Sequence, residues 1–136
     1  MTAQTIQDAI EALQDVIGAI SGIKYAPDYA TGALGNTPAA ILLPARGHAE
    51  TADLGGDLAD TVTLTLLVMV PHKDTATAIK AVIGYGDDIK DALMVRTPLD
   101  GVWTIETLDW EFGPIGWQGA DCLGWTFTIR MSNWED

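Results

Sequence analysis

Apolar residues at Ile6, Ile10, Leu13, Ile17 and Ile20 are separated by steps of four, three, four and three. That spacing lines up on one side of an α-helix and predicts an amphipathic first helix with one face buried on a sheet. A coiled-coil seam, the other use of such a stripe, would need several further heptads. Thr5 followed by Asp8 resembles a capping box with Asp in place of the usual Glu. Gly22 offers a stop, because glycine enters the left-handed cap without strain.

Past this helix the period changes. Ile23 to Ala26 reads as a short strand, and PDYATGALGNTP reads as a loop by composition. Ala39 to Leu43 is an apolar strand bracketed by Pro38 and Pro44, residues that sit at strand ends or edges because they lack an N–H. ARGHAETADLGGDLAD, from Ala45 to Asp60, has neither a helical nor a strand period and is expected to be one long loop. From Asp60 to Val70 the alternation is clear. Val62, Leu64, Leu66, Val68 and Val70 share one face, and Thr61, Thr63 and Thr65 share the other. Leu67 and Met69 continue the threonine face, so that face is expected to be covered at one end by a helix or another subunit.

Asp74 to Val95 reads as a second helix, with Asp74 or Thr75 as N-cap and Ile79, Val82, Ile83, Ile89 and Leu93 buried. Gly84 and Gly86 interrupt it, which points to a kink or a close approach by another backbone. All five tryptophans follow, at Trp103, Trp110, Trp117, Trp125 and Trp134. Gly113, Pro114, Gly116 and Gly119 forbid a continuous helix through them, so strands are expected. Leu123, Trp125, Phe127, Ile129 and Met131 face one way, against Cys122, Gly124, Thr126, Thr128, Arg130 and Ser132. Upstream, Trp103 and Ile105 share one parity while Leu108, Trp110 and Phe112 share the other, which predicts a bulge near Glu106 and Thr107. These elements add up to one α+β domain over residues 1–136. It has an antiparallel sheet, two main helices packed on one face and one long loop between strands.

Charge narrows the partners. The 136 residues carry 19 acids and 7 bases, a net charge of −12. Binding to DNA or RNA phosphates needs clustered Lys and Arg, and an anionic membrane would repel this chain. No apolar run reaches the roughly 20 residues of a membrane span, and the acidic N-terminus is unlike a signal peptide. A soluble protein used where it is made is expected.

Catalytic chemistry is thin. His48-Ala49-Glu50 has the HxE of zinc deaminases without the P-C-x-x-C partner, which favours a surface histidine. His72 beside Lys73 is a poor ligand set. Cys122 lies next to Asp121, which disfavours a thiolate. Neither Ser21 nor Ser132 sits in a nucleophile elbow. The acids from Asp53 to Asp60 are spaced wrongly for an EF-hand, leaving only a loose calcium site as an option. No catalytic residue, metal or cofactor is assigned. The candidate contact residues are instead His48, Glu50, Asp53, Asp57 and Asp60 in the expected loop, with Leu67 and Met69 on the covered sheet face.

Two stretches carry a resemblance: Leu108-Asp109-Trp110-Glu111-Phe112-Gly113-Pro114, and Gly119-Ala120-Asp121-Cys122-Leu123-Gly124-Trp125-Thr126-Phe127-Thr128-Ile129-Arg130. They resemble the paired C-terminal strands of the tail-terminator family of long-tailed bacteriophages, and the order of elements is similar over nearly the whole chain. The resemblance implies a structural virion protein rather than an enzyme. Such a protein forms a homo-oligomeric, hexameric ring at the head-proximal end of the tail, assembled in the host cytoplasm. It implies a tail tube protein and a head–tail connector or neck protein as partners, with genomic DNA passing through the channel without specific binding and no membrane involved. An acidic channel wall suits that passage. Another ring protein of the tail or neck, such as a connector or tube subunit, is the nearest alternative. A small ligand-binding α+β module or enzyme is the alternative from a different class.

Overall fold

The computed structural model describes residues 6–27, 37–51, 58–95 and 103–135. Helix α1 is Ile6–Gly18, followed by strands β1, Ala39–Thr51, and β2, Leu58–Pro71. Helices α2, Thr75–Val82, and α3, Tyr85–Val95, come next, and strands β3, Trp103–Trp117, and β4, Ala120–Glu135, complete the order. The strands form a four-stranded sheet in the order β1-β2-β4-β3. Each neighbouring pair is antiparallel. The fold is therefore α+β, with an antiparallel sheet and helices on one face.

The helix-covered face holds the main core. Ala9, Ile10, Leu13 and Ile17 of α1 and Ile89 and Leu93 of α3 pack on Leu42, Leu64, Leu66, Phe127, Ile129 and Met131. Leu13 and Ile17 are fully buried, and burial of one such side chain contributes about 2 kcal/mol relative to leaving it in water. Gln14 is the buried polar member of the α1 stripe. Its amide nitrogen donates to the carbonyls of Pro27 at 2.6 Å and Ala40 at 3.2 Å, tying the helix to the following segment and to β1. Gly22 does adopt a positive φ, 97°, in the turn after α1. Thr5, the other half of the expected capping box, lies outside the described residues. The expected strand at 23–26 is reduced to one parallel bridge, Tyr25 to Ala39.

Two expectations are corrected. Residues 45–60 do not form one long loop: β1 continues through Pro44 to Thr51, and β2 begins at Leu58. The ladder runs from Arg46 opposite Thr63 to Thr51 opposite Leu58, with a register shift between Pro44 and Arg46. The proline is tolerated because β1 is an edge strand, where a missing N–H need not break a ladder bond. The single helix expected over 74–95 is two. α2 ends at Val82, and α3 starts at Tyr85. Asp74 is the N-cap as expected: its carboxylate accepts from the Thr77 N–H at 3.1 Å and the Thr77 hydroxyl at 2.6 Å. Those two bonds hold its pKa below the usual carboxylate range.

The bulge expected near Glu106 and Thr107 is present as a register shift between Ile105 and Thr107. β3 and β4 then meet in a tight hairpin at Gln118 and Gly119, both with positive φ, 50° and 84°. Two central residues with positive φ are what a turn matching the strand twist requires, and glycine takes the second without strain.

Candidate functional site

The sheet face away from the helices has two ends of different character. At one end Ile41, Leu67, Met69, Ile115 and Cys122 are buried together, with Tyr25, Leu43 and Trp117 packed around them. Leu67 and Met69 were expected to need a helix or a neighbouring subunit over them. They are instead buried within the chain itself, Met69 fully, so they are not surface contacts. Cys122 is a member of this cluster. Burial, and secondarily the Asp121 carboxylate, pushes its thiol above the ordinary pKa. A raised thiol pKa lowers the thiolate fraction at neutral pH and so weakens the group as a nucleophile.

The other end is polar. The ladders place Arg46 opposite Thr63, Thr63 opposite Arg130, and Arg130 opposite Thr107, a row across all four strands. The adjoining row runs from Thr65 through Thr128 to Asp109. Together Arg46, Thr61, Thr63, Thr128, Arg130 and Asp109 line most of a shallow depression of about 580 Å³. The two guanidiniums differ in their surroundings. Arg130 Nε stands 3.8 Å from the Glu106 carboxylate, a loose ion pair with both side chains about half exposed. Arg46 is exposed and has no ion-pair partner among the described residues. The chain has three arginines, Arg46, Arg96 and Arg130, so two of the three converge on this one surface of an acidic protein.

The candidate residues from the expected loop are dispersed. The register sets His48 opposite Thr61 and Glu50 opposite Ala59, two and four positions along β1 from Arg46. Asp60 pairs with Ala49 and Asn133, at the alternate parity. Asp53 and Asp57 lie outside the described residues. Among the described residues, no three His, Cys, Asp or Glu side chains are grouped to hold a metal ion. No described helix is long and apolar enough to cross a membrane.

Sequence reasoning missed the arginine–threonine floor. Its parities were legible, with Thr61, Thr63 and Thr65 on one side of β2 and Thr128 and Arg130 on one side of β4. The missing step was the pairing of β2 with β4, a long-range register that no local pattern encodes.

A second, smaller hollow of about 330 Å³ lies where α2 meets the ends of β1 and β2, lined by Pro38, Val70, Pro71, Ala78 and Ala81 among others. Its exposed lining is mainly apolar, with Lys73, Asp74 and Thr77 at its margin, and the Asp74 carboxylate is already engaged as the α2 cap. Compared with protein-family models and with curated proteins, the chain matches none.

Proposed function

We propose that this chain is a structural virion protein, a subunit of the ring that caps a phage tail tube, ends its growth and joins tail to head. One observation supports the reading beyond the sequence resemblance: the sheet has two unlike broad faces, one under helices and one buried at its apolar end but open and polar at the other. Its edges are poor docking sites. β1 has Pro44 and a register shift, and its first residues are met by the Tyr25 segment. β3 has Pro114 and a shift of its own. Such features blunt strand-to-strand addition, which leaves the faces for association. Contact between unlike faces is head-to-tail, and head-to-tail contact closes into a ring when the rotation permits.

In this reading the ring is a hexamer, its partners are the tail tube protein and a connector or neck protein, and DNA passes without specific binding. Net charge −12 per subunit favours passage over adhesion. A neighbouring ring protein of the tail or neck is the second reading, favoured by the same two-faced sheet. Removing the gene from a phage that encodes this chain separates them. A terminator's loss gives tubes of uncontrolled length and unjoined heads. Tubes of normal length with leaking heads favour a neck protein, and normal infectious particles refute both.

A further inference from the structure

We propose that the Arg46–Arg130 depression receives the acidic outer face of α3 from a second copy of this chain, an inference that rests on the ring reading above. The ligand surface is Asp87, Asp88 and Asp91. Asp87 and Asp91 share one cation, Lys90, at 3.6 and 3.9 Å, and their side chains are 83% and 74% exposed. Asp88 is exposed too. Three acids around one lysine leave this face with surplus negative charge. The receiving surface has the opposite need. Arg46 is without an ion-pair partner among the described residues, Arg130 is loosely held, and Thr61, Thr63, Thr107 and Thr128 add hydroxyls. Threonine hydroxyls donate to carboxylates without adding charge, and arginine matches a carboxylate in a two-pronged geometry that lysine lacks.

The two surfaces cannot meet within one chain. Ile89 and Leu93 of α3 are buried against the helix-covered side of the sheet, so the acids on the outer side of α3 point away from it. The depression opens on the opposite side of the same sheet. One copy therefore presents the two surfaces in opposite directions and cannot offer both to the same neighbour. A reciprocal two-fold dimer is excluded by that arrangement, and each contact leaves one surface of each kind free for the next copy. Asp109, on the floor of the depression, tempers the positive charge and disfavours a purely electrostatic hold on arbitrary polyanions.

The test uses sedimentation velocity of the full chain from micromolar to millimolar concentration, with circular dichroism to verify folding. Arg46→Glu with Arg130→Glu is expected to weaken self-association about tenfold or more, as is Asp87→Arg with Asp91→Arg. Each variant keeps one intact surface, so mixing the two is expected to restore association. Salt dependence alone is a poor readout, because salt screens the net repulsion between copies as well as the attraction. If wild type associates and the arginine variant associates equally well, the docking is overturned while the ring reading stands. If each variant is weakened and mixing restores nothing, the pairing of these two surfaces is overturned. Wild type that remains monomeric at millimolar concentration overturns the docking too, and the virion role is then decided by tail length in the gene-deletion phage. Association rescued only by added nucleic acid overturns the choice of a protein carboxylate surface as occupant.

Discussion

The indole Nε1 of Trp125 donates to the carbonyl of Val82 at 3.0 Å, joining β4 to the last residue of α2. This bond sits where the expected single helix breaks. The Val82 carbonyl, at a helix end, is among those that lack an intrahelical partner, and the tryptophan ring supplies one. The same ring lies over Gly86, where an added Cβ would meet Cζ2 at 3.0 Å and Cε2 at 3.1 Å. Gly86 is thus a seat for Trp125, while Gly84 has nothing within 4 Å of an added Cβ.

The seat makes a coupled prediction. Trp125→Phe removes the bond and is expected to cost about 1–2 kcal/mol. Gly86→Ala gains helix propensity, about 1 kcal/mol, but pushes on a ring pinned by its hydrogen bond, so a net loss is expected. In a Trp125→Leu background the same substitution should become neutral or stabilising. Urea denaturation of the double-mutant cycle measures this, and a coupling below about 0.3 kcal/mol would show the two positions to be independent.

Gly124 makes a second prediction. It pairs with Met69 in the central β2–β4 ladder. A Cβ there would overlap the Val68 carbonyl oxygen and stand 2.9 Å from the Met69 Cα. Backbone in the middle of a sheet cannot step aside, so Gly124→Ala is expected to cost about 3 kcal/mol or prevent folding. Gly113, opposite Gly124 on β3, has open space at its Cβ position. Gly113→Ala should change stability by no more than about 0.5 kcal/mol. Equal midpoints for the two variants in thermal unfolding would contradict the close approach.

Parity was the most legible feature of this chain. The phase slip between Ile105 and Leu108 announced the bulge, and the strict alternation from Cys122 to Ser132 announced a half-buried strand. Residues 45–51 were illegible because Pro44, Gly47 and charged residues erase the strand period. They are strand because they pair with the well-formed β2, an instance of tertiary context overriding local preference. The helix over 74–95 was legible in its cap and its stripe. Its interruption at Gly84 and Gly86 was legible as a kink or a close approach, but not that the approaching group is the ring of Trp125, which lies 43 positions from Val82. The arginine–threonine floor failed to show for the same reason, since it exists only once β1, β2, β4 and β3 are laid side by side.

Cys122 sets a pH dependence. Its ordinary pKa of 9.0 is raised by burial first and by Asp121 second. The folded chain therefore holds this proton more tightly than the unfolded chain. The resulting stability is complete below pH 9.0, and it is lost as pH rises through the folded value. Tyr85, raised from 10.0 by burial and then Asp88, acts in the same direction at higher pH. Urea midpoints should fall as pH rises above 9.0, and Cys122→Ser should remove the first part of the fall while leaving the proposed ring assembly intact. A wild-type midpoint that stays flat above pH 9.0 would contradict the burial of this thiol, and a folded Cys122→Ser chain that fails to complete tails would contradict a purely structural thiol.

The ring proposed here stands at the head-proximal end of a phage tail. Cryo-electron microscopy of virions from a phage that encodes it measures this directly. The expected image is one ring of six copies between the tail tube and the neck, with the helix-covered face of each sheet turned toward the open polar end of the other face of the next. Absence of the chain from the particle, or a single copy or a dimer at that junction, would contradict it.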